Sequence, residues 1–151
     1  MTLRVIGWWL KVCLIFLAPP ITLAQPSGSS TVEGEVIVDS LSGMAGDPVR
    51  GRVIVLSRQS GLCILCHSGP FPEERFQGNL APDLAISAAR LSESQLRARL
   101  VDARRFNPDT IMPPYFTKDH GTRVAPQFAD KTLLSAQEIE DVLAFLMSLK
   151  P

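Results

Sequence analysis

The chain has 151 residues, and its fifteen basic and fifteen acidic side chains cancel formally. Balanced charge gives no long-range pull toward nucleic acid or anionic lipid, which excludes an electrostatic nucleic-acid binder. Apolar residues at 46% and charged residues at 20% exclude a disordered chain.

The first 24 residues differ sharply from the rest. Met1 to Arg4 and Lys11 give a positive start, and Val12 to Ala18 is an apolar run. Thr22-Leu23-Ala24 before Gln25 reads as a small-residue cleavage site. The run stops at Pro19-Pro20, short of the about 20 apolar residues a membrane-spanning helix needs. Lys11-Val12 before Cys13 is not the small-residue pair of a lipid-modification site. Residues 1–24 are therefore expected to be a cleaved signal peptide, and the protein to be exported. Trp8, Trp9 and Cys13 leave with it, as do Arg4 and Lys11, so the remainder is slightly acidic.

Residues 25–45 read as a flexible leader, polar from Gln25 to Thr31, with a short extended stretch at Val36–Val38. Residues 46–150 read as one domain. Asp47-Pro48 predicts an N-cap with proline at the first helical position, opening a helix through Arg58. Val53-Ile54-Val55 would suit a strand equally well. Ser92 and Gln95 form a capping box. The helix after it puts Leu96, Leu100 and Val101 on one face, with Arg97, Arg99 and Asp102 elsewhere. Ser135 and Glu138 form a second box, followed by Ile139, Val142, Leu143, Leu146 and Leu149 at helical spacing. The fold class is all-α, with long irregular connections and no internal repeat. Connections of that length need something besides helices to supply the core.

Cys63-Ile64-Leu65-Cys66-His67 is a C-x-x-C-H run. A redox dithiol, a zinc site and covalent c-type haem compete for it. Zinc needs four ligands, and only His67 and His120 could join the cysteines. Export and the lack of other cysteines after residue 24 favour haem c, one per chain, with thiols adding to the vinyl groups and His67 on the iron. Candidates for the sixth iron ligand are Met44, Met112, Met147 and His120. Met147 sits on a core helix pattern, Met44 in a mobile glycine-flanked stretch, and His120 between charge and a turn residue. Met112 stands in Asn107-Pro108-Asp109-Thr110-Ile111-Met112-Pro113-Pro114-Tyr115, where prolines on both sides stiffen the loop. A stiff loop leaves little ordering entropy to overcome when a weak thioether ligates. Met112 is the expected ligand. Phe71, Phe76, Leu80, Leu84, Ile111 and Phe116 are candidate haem walls, and Phe71, Phe76, Tyr115 and Phe116 candidate anchors for a partner.

This order of elements resembles class I cytochromes c, where a glycine in the first helix and an aromatic in the last allow a close crossing. Gly51 and Phe145 match those positions, and Pro82 matches the proline whose carbonyl receives the ligand imidazole. Ala81 departs from the family's glycine. More closely, Gly46-Asp47-Pro48, the segment Cys66 to Gly78, the loop Asn107 to Tyr115 and Leu134 to Val142 resemble the SoxX family, the monohaem subunits of SoxAX cytochromes. The resemblance implies a periplasmic heterodimer with a SoxA-like haem subunit. It implies a complex, an L-cysteine S-thiosulfotransferase, that oxidatively joins thiosulfate to a cysteine of a SoxYZ-like carrier. The bond-forming site of that family lies on SoxA, so this chain is expected to be the electron-accepting half, without catalytic residues of its own, passing electrons to a soluble cytochrome c. A free-standing electron shuttle and an open-site haem sensor or enzyme are the rival readings.

Overall fold

Asp47 starts the first helix by accepting hydrogen bonds from the amides of Val49 and Arg50, at 2.8 and 3.3 Å, with Pro48 at the first helical position. That helix is α1 (Pro48–Leu56) in the computed structural model, which describes residues 36–122 and 124–151. The expected signal peptide and the part of the expected leader before Val36 lie outside the described residues. Val53-Ile54-Val55 is helical, since the cap and proline fix the backbone before β-propensity acts. Helices α2 (Leu84–Arg90), α3 (Glu93–Asp102) and α4 (Ala136–Ser148) follow; α2 and α3 are joined through Leu91 and Ser92 alone, whereas long segments with short 3-10 turns precede α2 and separate α3 from α4. Among the described residues there is no strand, so the chain is all-α.

Both capping boxes form, Ser92 with Gln95 on α3 and Ser135 with Glu138 on α4. The second helix was not expected. At seven residues it is too short to show a periodicity, and its start is set by Asp83, which accepts from the amides of Ala85 and Ile86.

The most extensive helix contact joins α1 and α4. A Cβ at Gly51 would collide with the Asp141 carbonyl and press on Phe145, so the crossing needs a missing side chain there. Ile139, Val142, Leu143, Phe145 and Leu146 of α4 are all buried. At roughly 1.5–3 kcal/mol for each large side chain, this stripe is the main apolar contribution to the core. Phe71 stacks on Phe145 with ring centroids 5.9 Å apart.

Charges also enter this core, against the expectation that Arg97 lies off the buried face. Arg97 and Glu140 are 3% and 4% exposed and pair through two parallel hydrogen bonds of 3.0 and 3.1 Å. Arg97 also donates to Glu93 and to the carbonyls of Ile37 and Val38, while Glu140 accepts from the amide of Leu41. Residues 37–41 are thus fastened to α3 and α4. A second buried acid, Asp141, accepts from Arg50 at 2.7 and 2.8 Å and from the amide of Asp47 at 2.8 Å. The Arg50 guanidinium holds the Asp141 carboxyl down at about 2.

Candidate functional site

The C-x-x-C-H run leaves α1 through Gly61 and through Leu62, whose φ of 60° turns the chain sharply. Cys63–Leu65 then form one 3-10 turn, and the amides of Cys66 and His67 both bond the Cys63 carbonyl, at 3.1 and 2.9 Å. This winding places two sulfurs and an imidazole on a short tight turn. Gly78 packs against the Leu65 carbonyl so closely that a Cβ would collide with it, and its amide bonds Ile64 at 2.9 Å. The amide of Ala81 bonds Cys66 at 3.0 Å and that of Leu84 bonds Ser68 at 2.9 Å, while Ser68 donates to Asp83. The segment from 78 to 84 is a backing wall for the turn.

That wall fixes the histidine. His67 Nδ1 lies 2.6 Å from the Pro82 carbonyl, which can only accept, so Nδ1 carries the proton. Nε2 is left with its lone pair, the form in which imidazole binds a metal. Ala81 has no left-handed φ, so its departure from glycine leaves this contact intact.

The Met112 loop approaches from the other side. Met112 donates its amide to Thr110 Oγ1 at 3.2 Å. Tyr115 and Phe116 dock on the end of α3 through bonds to Leu100 and Val101, and the Leu134 amide bonds the Tyr115 carbonyl. The buried Tyr115 hydroxyl donates to the Gly61 carbonyl at 2.6 Å and lies 4.0 Å from Cys63 Sγ. One side chain thereby ties the methionine loop to the start of the cysteine turn.

Between turn and loop lies a cavity of about 300 Å³ that adjoins one of about 400 Å³. Both are lined by Cys63, His67, Pro82, Met112 and Tyr115. Val55, Leu84, Leu96, Leu100 and Leu146 complete the first, and Cys66, Leu80 and Ile111 help line the second. A flat apolar macrocycle fits these walls, with thiols at one end and an imidazole and a thioether available to its metal. Burial pushes the Cys63 thiol up to about 11, the reverse of the activated thiolate a redox dithiol needs. Among the described residues no group of three or more His, Cys, Asp and Glu is placed to hold a metal ion, so the ligands for a zinc site are not assembled.

A crystal structure of SoxXA from P. pantotrophus matches the chain with a TM-score of 0.71 and 33% sequence identity, over 78% of this chain and 92% of that one. The chain belongs to the SoxX family. It is a SoxAX-related cytochrome subunit with the cytochrome c fold. No protein-family model and no curated protein matches it. Among the described residues no helix is long and apolar enough to cross a membrane.

The other sequence candidates separate in space. Met44 and Met147 line a groove beside Glu140 that shares no residue with the site cavities. His120 is half-buried with its Nε2 2.7 Å from the Lys131 carbonyl, so it is neither fully solvent-facing nor turned to the cavity. Of the expected walls, Leu84 lines the cavity, and Leu80 and Ile111 sit at its mouth, 72% and 73% exposed. Phe71 and Phe76 are not walls: Phe71 packs on α4, and Phe76 is 81% exposed. Phe116 packs against the core without lining either cavity. Phe71 and Tyr115 are too buried to anchor a partner. Sequence reasoning missed Asp83 as a helix cap and Tyr115 as a tie. The acid after Pro82 was a readable cap signal, whereas the partner of a tyrosine hydroxyl has none.

Proposed function

We propose that the chain is a periplasmic monohaem c-type cytochrome, the electron-accepting subunit of a SoxAX-like complex. Residues 1–24 serve as its export signal and residues 46–150 as its cytochrome domain. Cys63 and Cys66 hold haem c covalently, and His67 and Met112 take the axial iron positions. Bound there, haem c supplies a one-electron ferric–ferrous couple. The observation that carries this reading is the shared lining of one apolar site by Cys63, His67 and Met112, with the imidazole oriented by the Pro82 carbonyl.

The protein residues contribute orientation, polarity and access. Pro82 fixes the His67 tautomer and strengthens Nε2 as a donor. The Met112 thioether favours the reduced state relative to a second histidine, as an electron acceptor needs. Leucines 84, 96, 100 and 146 keep water from the site, while Leu80 and Ile111 leave an apolar rim at its mouth. That rim faces a SoxA-like haem subunit, whose reaction joins thiosulfate to a cysteine on a SoxYZ-like carrier. Electrons then leave to a soluble cytochrome c.

Coexpression with a SoxA-like subunit tests the assignment. The two should elute as a 1:1 complex on size exclusion in moderate salt, and thiosulfate should reduce the chain only with that subunit and the carrier present. Separate elution, or equal reduction of the isolated chain, would support a free-standing shuttle.

A further inference from the structure

Two pieces of chain face each other across the site, and one atom joins them. The Met112 loop is fastened at its far end, where the amides of Tyr115 and Phe116 bond the Leu100 and Val101 carbonyls of α3 at 3.3 and 3.2 Å. Nearer the thioether its hydrogen bonds are internal, from the Thr110 amide to the Asn107 carbonyl and from the Met112 amide to Thr110 Oγ1. Among the described residues, the hydrogen bonds that cross from this loop to the cysteine turn are made by the Tyr115 hydroxyl alone. It donates to the Gly61 carbonyl at 2.6 Å and lies 4.0 Å from Cys63 Sγ. Both ends of this tie are fixed. Gly61 packs so closely on α1 that a Cβ would collide with the Ile54 carbonyl, and the next amide, of Leu62, bonds the Ser57 carbonyl at 2.9 Å. Tyr115 is 2% exposed. Between it and Met112 stand only Pro113 and Pro114, whose rings fix φ and confine the residue before each to extended backbone. A position fixed at Tyr115 is thereby passed to Met112.

We propose that the Tyr115 hydroxyl is the latch that keeps the Met112 thioether in place at the iron, acting as a positioning residue through the rigid Pro113-Pro114 spacer. The inference rests on the haem reading above. A thioether is a weak ligand, so its hold depends on how little freedom its loop gains when it lets go. With the latch closed, a released Met112 stays beside the site and returns. With the hydrogen bond removed, the loop is held only at α3 and residue 134, and the thioether spends more time away. A competing ligand binds in proportion to the fraction of molecules whose site is open, so the latch sets that ligand's apparent affinity.

The test titrates the ferric holoprotein with imidazole and compares Tyr115→Phe with the parent and with Gly51→Ala. The phenylalanine keeps the ring and removes only the hydroxyl. Gly51 lines neither cavity, so its alanine variant loosens the α1–α4 crossing and controls for a general loss of stability. Without added ligand, Tyr115→Phe should keep covalent haem and the methionine-ligated low-spin spectrum. Its apparent affinity for imidazole should rise roughly tenfold, the factor one buried hydrogen bond is worth. Gly51→Ala should bind imidazole as the parent does. Should Tyr115→Phe fail to fold, Pro114→Ala carries the test, since it leaves the latch and softens the spacer, and it too should bind imidazole more tightly than the parent. An unchanged imidazole affinity, or a gain no larger than that of Gly51→Ala, overturns the assignment. A parent spectrum without methionine ligation instead overturns the underlying site reading, and it shows before any variant is made.

Discussion

The two sides of this molecule are held together differently. Where α1, α3 and α4 meet, every buried charge has a partner: Asp141 pairs with Arg50, which Asp47 shares, and Arg97 is saturated by Glu140, Glu93 and two carbonyls. Around the cavity, helix-borne leucines meet an irregular cysteine turn and methionine loop, which are held by single backbone bonds and by the Tyr115 hydroxyl on Gly61. The first side is complete with protein atoms alone. The second surrounds a cavity lined by leucines, which a close-packed interior would not leave empty. The buried charge pairs and the residues proposed to hold the haem are thus different residues, and substitutions can separate their effects.

The largest effect should come from the buried pair. Arg97→Met leaves Glu140 as an unpaired buried charge, and denaturant unfolding should show a loss of about 3–5 kcal/mol. The haem spectrum of the remaining folded protein should be unchanged. Gly51→Ala should come next, costing roughly 1–3 kcal/mol through overpacking at the α1–α4 crossing, again measured by unfolding. A Gly51→Ala protein of parental stability would mean that α4 can shift to admit a methyl group.

Acid should act on the same side. The Asp141 carboxyl is held down at about 2 in the fold, against about 3.9 for an unfolded aspartate. Its contribution is therefore full above pH of about 4 and is lost as pH falls through about 2. Asp141→Asn should flatten the acid limb of a stability–pH curve and leave the neutral-to-basic limb in shape. The smallest effect on stability should come from the other side. Met112→Leu conserves apolar volume and should cost less than about 1.5 kcal/mol. It should nonetheless lower the reduction potential and let imidazole bind the iron, while Met44→Ala, Met147→Leu and His120→Ala change neither.

The same division explains what could be read from sequence. On the cavity side, the residues that come together were legible, because C-x-x-C-H spacing and a proline-flanked methionine are local signals, and both line one site. The helix starts at Asp47, Ser92 and Ser135 were legible because each cap is written within four residues. Arg97, Glu140 and Asp141 were not, because a charged residue on a helix reads as solvated until its partner, about 40 or 90 positions away, is known. Phe71 and Tyr115 were misplaced for the same reason: an aromatic in an irregular segment has no periodicity to say which way it faces.

The central claim is that Cys63 and Cys66 carry haem through thioether bonds. Acid-acetone extraction of denatured protein, expressed from residue 1 in a host that attaches haem to exported proteins, tests it. Haem should stay with the polypeptide, and Cys63→Ala with Cys66→Ala should yield little folded protein and no retained haem. Haem that passes into acetone from the unmodified chain would contradict it.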